Sequence, residues 1–243
     1  MKKIILLAGL SLLLLVGMVA PAQGQWTIDL QAGDWFKYEG NLLNWTSEEG
    51  FEFPPSFAGY LQTYNESDWI MYTVTDVSIQ DLVNWTVVTH WSNGTETTAD
   101  MVENVTSSSD IMVIGANMTE GDLIRPADFL AGDRILNASI MLDSPNGTRE
   151  MNVLNYASEF FGSTYGHEYY WDALTGIQVL HWMDANASDF MSGATYNYTA
   201  TFTLIESSTG QVIPDLTGPL LLLATMSITA PIALLLRRKK RVI

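Results

Sequence analysis

The sequence predicts a mainly β protein: one antiparallel β domain, a β-sandwich or a curved half-barrel, plus a single C-terminal transmembrane helix. Three observations point there. Period-two alternation recurs in segments rich in Thr and aromatics. Helical periodicity is weak except in the two hydrophobic ends. Asn-x-Ser/Thr triplets fall on the polar phase of the clearest strands, as expected of a sheet with one wet face.

Residues 1–24 read as a secretory signal peptide, with Lys2 and Lys3, an apolar run from Ile4 to Val19, and small residues suited to a peptidase after Ala22 or Gly24. An uncleaved anchor is the alternative. Residues 25–213 form the outer domain. Its first strand, Asp34–Glu39, follows a Gly33-Asp34 pair, and similar pairs at Gly121 and Gly132 mark further strand starts. Trp69–Val77 comes next. In Asp81–Trp91, Val83, Trp85, Val87 and Trp91 share one face while Asn84, Thr86 and His90 share the other. A sugar on Asn84 must point to water, so the Trp face is the buried one.

Ile111–Gly115 reads as a strand and Pro126–Leu130 as a short helical turn. Glu150–Tyr156 is a strand, and Glu168–Trp171 and Ile177–Met183 form a hairpin. In its turn, Asp172–Gly176, Asp bonds the backbone and Gly takes a positive φ. Thr195–Leu204 repeats the alternation, with Tyr196, Tyr198, Ala200, Phe202 and Leu204 inward and Asn197, Thr199, Thr201 and Thr203 outward.

Residues 214–218 are a juxtamembrane linker, 219–236 an uncharged span and 237–243 a tail opening with Arg-Arg-Lys-Lys-Arg. Counted from Leu216, the apolar stretch is 21 residues, about 31 Å at 1.5 Å per residue, the thickness of a bilayer core. The basic cluster stays cytoplasmic. The chain is thus expected at the cell membrane, single-pass, with its large domain extracellular.

All 27 acidic residues of the chain lie between Gln25 and Asp215, against four basic ones, Lys37, Arg125, Arg134 and Arg149. That charge repels nucleic acid and anionic headgroups. With no cysteine, disulfides, thiol nucleophiles, iron–sulfur clusters and Cys-based zinc sites are excluded. A domain of about 190 residues buries enough core to dispense with disulfides.

Ten of 13 asparagines open a glycan-acceptor triplet: Asn44, Asn65, Asn84, Asn93, Asn104, Asn117, Asn137, Asn146, Asn186 and Asn197. With 41 Ser and Thr in 243 residues, chance supplies about two, so the excess predicts N-linked glycans. All ten lie between the signal and the span, in agreement with the topology.

Candidate chemistry is sparse. His90 lies on the glycan-bearing face. His167 and His181 pair directly across the hairpin if Trp171 pairs with Ile177, and with Glu168 or Asp184 they are candidates for a transition-metal site. Surface or packing histidines are the structural alternative. Asp184–Asp189 has the oxygen-rich alternation of a calcium loop, without the Gly and Glu of an EF-type loop. No nucleophile elbow, His-Glu-x-x-His motif or phosphate-cradling Gly loop occurs. No cofactor is expected.

The order Gly33–Gly40 (GDWFKYEG), Glu120–Ile124 and Tyr169–Trp182 (YYWDALTGIQVLHW) resembles uncharacterised archaeal secreted and cell-surface glycoproteins. These combine a Gly-Asp-Trp opening strand with an aromatic-Asp-x-x-Thr-Gly hairpin. The tail from Val212 resembles their C-terminal sorting signals, with Pro214-Asp215-Leu216 where Pro-Glu-Phe is often found. The chain also resembles curved-sheet lipoprotein carriers. These resemblances imply architecture and no activity. The expected role is that of a membrane-anchored, N-glycosylated envelope or binding protein rather than an enzyme, with the bilayer, glycans and envelope proteins as partners. The alternatives are a curved-sheet carrier of a lipid or other apolar ligand and a metal-dependent hydrolase.

Overall fold

The computed structural model describes residues 27–48, 59–78, 81–107, 111–127, 132–142, 148–160, 162–188 and 195–209. The expected signal peptide, linker, transmembrane stretch and basic tail lie outside these residues. Among the described residues no helix is long and apolar enough to cross a membrane.

The elements run β1 (Trp35–Ser47), α1 (Gly59–Glu66), β2 (Ser67–Val77), β3 (Leu82–Trp91), β4 (Glu96–Asn104), β5 (Leu123–Arg125), β6 (Arg134–Ile135), β7 (Ala138–Leu142), β8 (Arg149–Phe160), β9 (Ser163–Asp172), β10 (Gln178–Ser188) and β11 (Thr195–Ser207). Nine strands make one open sheet in the order β4-β3-β2-β1-β11-β10-β9-β8-β7, and β5 with β6 forms a separate hairpin. Every pairing between these strands is antiparallel. The protein is therefore built on a single unclosed sheet, not on the two facing sheets of a sandwich. β1 joins an N-terminal meander to a C-terminal one by pairing with both β2 and β11.

The alternation read from the sequence sorts the faces. Phe36, Tyr38, Ile70, Val74, Val83, Trp85, Phe202 and Leu204 are buried in one cluster, where Tyr38 stacks on Phe202 at 4.7 Å and Phe36 meets Trp85 edge-on at 6.3 Å. Such pairs add about 1 kcal/mol each to the area they bury. A bulge between Leu42 and Asn44 re-phases β1, sending Trp45 inward opposite Tyr198 and Asn44 outward opposite Thr199. The opposite face is not uniformly polar: Val153, Tyr170 and Leu180 are buried there as well.

One expected strand is not found, and strand β4 was not expected. Ile111–Gly115 is not a strand of the sheet. It makes one isolated bridge, Val113 to Ile177, and lies buried from Ile111 to Ala116 as a segment laid over the hairpin. A run apolar on every side reads as a core strand when only its composition is seen. Its backbone is satisfied instead by Gly176, whose carbonyl accepts from Ile114 N–H at 2.9 Å, and by Glu103, whose Oε1 accepts from Met112 N–H at 2.9 Å. In the other direction, β4 shows no alternation because Glu96–Asp100 is exposed on both sides. It is an edge strand held by its pairing with β3, and its charges discourage further pairing. Pro126 and Ala127 are irregular, and the rest of the predicted turn lies outside the described residues.

The hairpin turn forms as expected. Asp172 Oδ1 accepts from the Thr175 N–H and hydroxyl, both at 2.9 Å, and Gly176 has φ +74°. A Cβ on Gly176 would collide with the Ile114 carbonyl oxygen, so this glycine also lets the covering segment settle on the hairpin.

Candidate functional site

Met101 on β4 and Tyr169 on β9 are six strand spacings apart, roughly 29 Å across a flat sheet at about 4.8 Å per strand. Both line one cavity of about 390 Å³. The sheet must therefore curl to bring them together. The floor of the cavity is buried and consists of Ile70, Tyr169, Gln178, His181, Met183 and Phe202 from the sheet, covered by Ile111 and Met112. Its half-exposed rim is Thr63 and Tyr64 of α1 with Tyr72, Met101 and His167. Tyr64 stacks on Phe202 at 5.0 Å, which is possible because Gly40 beneath it has no Cβ. The walls are aliphatic, Met and aromatic side chains, and among the described residues no Asp, Glu, Lys or Arg lines the space. The volume falls within the range of small-molecule sites.

The polar groups of this cavity include both hairpin histidines. His167 Nδ1 and His181 Nε2 are 3.1 Å apart, so one ring donates to the other. Their register differs from the direct pairing expected. Trp171 pairs with Gln178, one residue off, and a bulge between Gln178 and Leu180 adds a second step, so His181 faces Tyr169 and His167 faces Met183. Two single steps make an even shift, which leaves both imidazoles on the same face as diagonal neighbours. Aromatic stacking fixes them: Tyr169 lies on His181 at 3.8 Å and Tyr156 on His167 at 4.9 Å. Burial, reinforced by the charge of Arg134, lowers the His167 pKa to about 4; burial, with His167 next to it, holds His181 well below its usual value. Both rings are uncharged at neutral pH.

Asp184 does not join them. It is exposed on the opposite face of β10, opposite Gly166. Glu168 also alternates away from the pair and accepts from the Tyr170 hydroxyl at 2.7 Å. Among the described residues no group of three His, Asp or Glu side chains is placed to hold a metal ion. The Asp184–Asp189 stretch is not a calcium loop: residues up to Ser188 continue strand β10, which sends alternate side chains to opposite faces. His90 lies on the outer face, stacked on Trp69 at 4.9 Å and 3.1 Å from Glu96.

Beyond the cavity wall lies a charged layer absent from the sequence reading. Arg125 and Arg134 are buried on the β5–β6 hairpin, and the Arg134 guanidinium sits 5.3 Å over the Tyr156 ring that backs His167. Burial, then repulsion from Arg134, lowers the Arg125 pKa, while buried Glu103 opposes the shift. The available signal was compositional: two of the four basic residues in an acidic domain stand nine positions apart among Ile and Leu.

Nine of the ten acceptor asparagines are described. Seven are exposed, Asn84 and Asn104 are half-buried, and none is in the interior; Asn146 lies outside the described residues. Asn93 and Asn104 each accept from the hydroxyl of their triplet Thr at 2.7 Å. Asn186 and Asn197 are direct cross-strand partners on the outer face. The chain matches no family model, no curated protein and no solved structure.

Proposed function

We propose that this chain is a membrane-tethered, N-glycosylated protein of the outer cell surface whose β domain, a half-barrel, holds one apolar ligand. Binding, not conversion, is its role. The observation that carries the reading is the cavity between the curled sheet and the Ile111–Met112 cover, with apolar walls and a half-exposed rim. The hydrophobic effect drives a ligand into such a space, at roughly 25 cal/mol per Å² of apolar surface removed from water. The outward position of the acceptor asparagines supports the glycosylated, cell-surface part, together with the leader and the basic-flanked span expected from the sequence.

The test uses the full chain in lipid nanodiscs and the fluorescent apolar probe N-phenyl-naphthylamine. Uptake at one probe per chain is expected above the signal of nanodiscs alone. Met183→Trp, which fills the floor, should abolish that increment. Equal uptake by the filled variant would remove the cavity from the account. Protease added to intact cells should digest the β domain and spare the basic tail; the reverse pattern would overturn the topology.

A further inference from the structure

The cavity is apolar in its walls but not in one part of its floor. Gln178 is 2% exposed, and among the described residues its Nε2 has no hydrogen-bond partner. Its backbone is held on both sides, with N–H donating to Met112 O at 2.9 Å and the carbonyl accepting from the Tyr38 hydroxyl at 2.8 Å. The side chain therefore starts from a fixed point in the floor. The terminal amide torsion of Gln is broad and soft, so rotation about it turns the donor towards the adjacent space. A buried donor without an acceptor is costly, and an oxygen arriving in the cavity relieves that cost.

His181 and His167 line the same space, and among the described residues the two rings hydrogen-bond only to each other. An uncharged imidazole has one N–H and one bare nitrogen. In a bonded pair, one outer nitrogen is thus a donor and the other an acceptor. Exchanging tautomers swaps them. Such a pair accommodates a carbonyl or a hydroxyl equally well.

We propose that the Gln178 and His181–His167 patch seats the head of an uncharged amphipath, a ketone, ester, quinone or alcohol oxygen, with its apolar tail running towards Ile70, Met101 and Phe202. This rests on the carrier reading and specifies its ligand. At ~30 Å³ per water-sized group, the cavity admits a chain of about a dozen heavy atoms. Ionised heads are disfavoured because no described side chain lining the cavity supplies a compensating charge, and an unpaired charge pays heavily for leaving water.

The experiment displaces N-phenyl-naphthylamine from the full chain in nanodiscs with methyl nonyl ketone or with the branched hydrocarbon in which a methyl replaces its oxygen. The free activity of each is fixed by its vapour pressure over the sample, and decanoate in solution is a third arm. The ketone should bind about tenfold more tightly than the hydrocarbon, the effect expected of one newly satisfied buried donor. In Gln178→Met/His181→Phe, which keeps shape and ring stacking, that ratio should fall to near one. Equal binding of ketone and hydrocarbon by the native chain, which needs no variant, overturns the proposal. So does a preference that survives the double substitution, or decanoate binding as tightly as the ketone. Hydrocarbon uptake without preference leaves the carrier reading intact; no uptake of any probe ends both.

Discussion

Acidification should weaken this fold through the hairpin histidines, and the sign follows from burial. His167 titrates near 6.5 when unfolded and at about 4 when folded, because burial and the Arg134 charge disfavour its cation. Between those values the unfolded chain binds the proton first. The stabilisation is complete above pH ~6.5 and drains away as pH falls towards ~4. Each pKa unit is worth about 1.4 kcal/mol, so near pH ~4.5 the cost of this ring reaches ~2.5 kcal/mol. For a domain of this size that is a fall of roughly 5–10 °C in Tm. His181, lowered by burial and by His167, acts in the same direction. The bare pH profile mixes this with the titration of 27 carboxylic side chains, whose mutual repulsion acidification relieves. The measurement is therefore a difference: Trp-fluorescence melts of the full chain and of His167→Gln, from pH ~7.5 down to ~4.5. The native chain should lose about 5–10 °C relative to the variant over that range. Melting curves that shift in parallel would refute the burial argument, whatever the two absolute Tm values are.

Gly176→Ala combines a left-handed φ with a collision against the Ile114 backbone and should cost ~3 kcal/mol in denaturant unfolding. Gly33→Ala, also at positive φ but with open space around it, should cost only ~1 kcal/mol; equal losses would contradict the close-approach argument. Glu103→Ala removes the acceptor of the Met112 and Val113 N–H groups and should cost about 2–3 kcal/mol, with hydrogen exchange rising first across Ile111–Ala116. Protection unchanged in that segment would show that the carboxylate does not hold the cover down. If the outer face is glycosylated, Asn186 and Asn197, directly opposed at about 5 Å between Cβ atoms, should compete for occupancy. Glycopeptide mapping of Asn186→Gln should then show more sugar on Asn197, and an unaltered level would rule out crowding.

Much of the sheet was readable because a strand's two faces are a local property. Successive side chains alternate whatever the strand pairs with, so Trp85 and Phe202 inside and Asn84 and Asn197 outside follow from spacing alone. The turn Asp172–Gly176 was legible for the same reason: a short polar side chain and a residue tolerant of positive φ act within a few positions of each other. β4 and the Ile111–Gly115 segment were not, because a strand exposed on both faces and a segment buried on both faces each lack the contrast on which alternation depends.

The sequence by itself determined which side of each alternating strand meets water and where the acceptor triplets fall along the chain, since these are matters of order and composition. Only the tertiary structure decided that nine strands form one curled, open sheet and that a distant segment roofs it. It also decided that a bulge beside Val179 makes an odd register step even, and so brings His167 and His181 together beside Gln178. The reason is physical: a single-residue slip changes nothing in local alternation yet moves a side chain through the sheet, and only contacts between remote parts of the chain select the register.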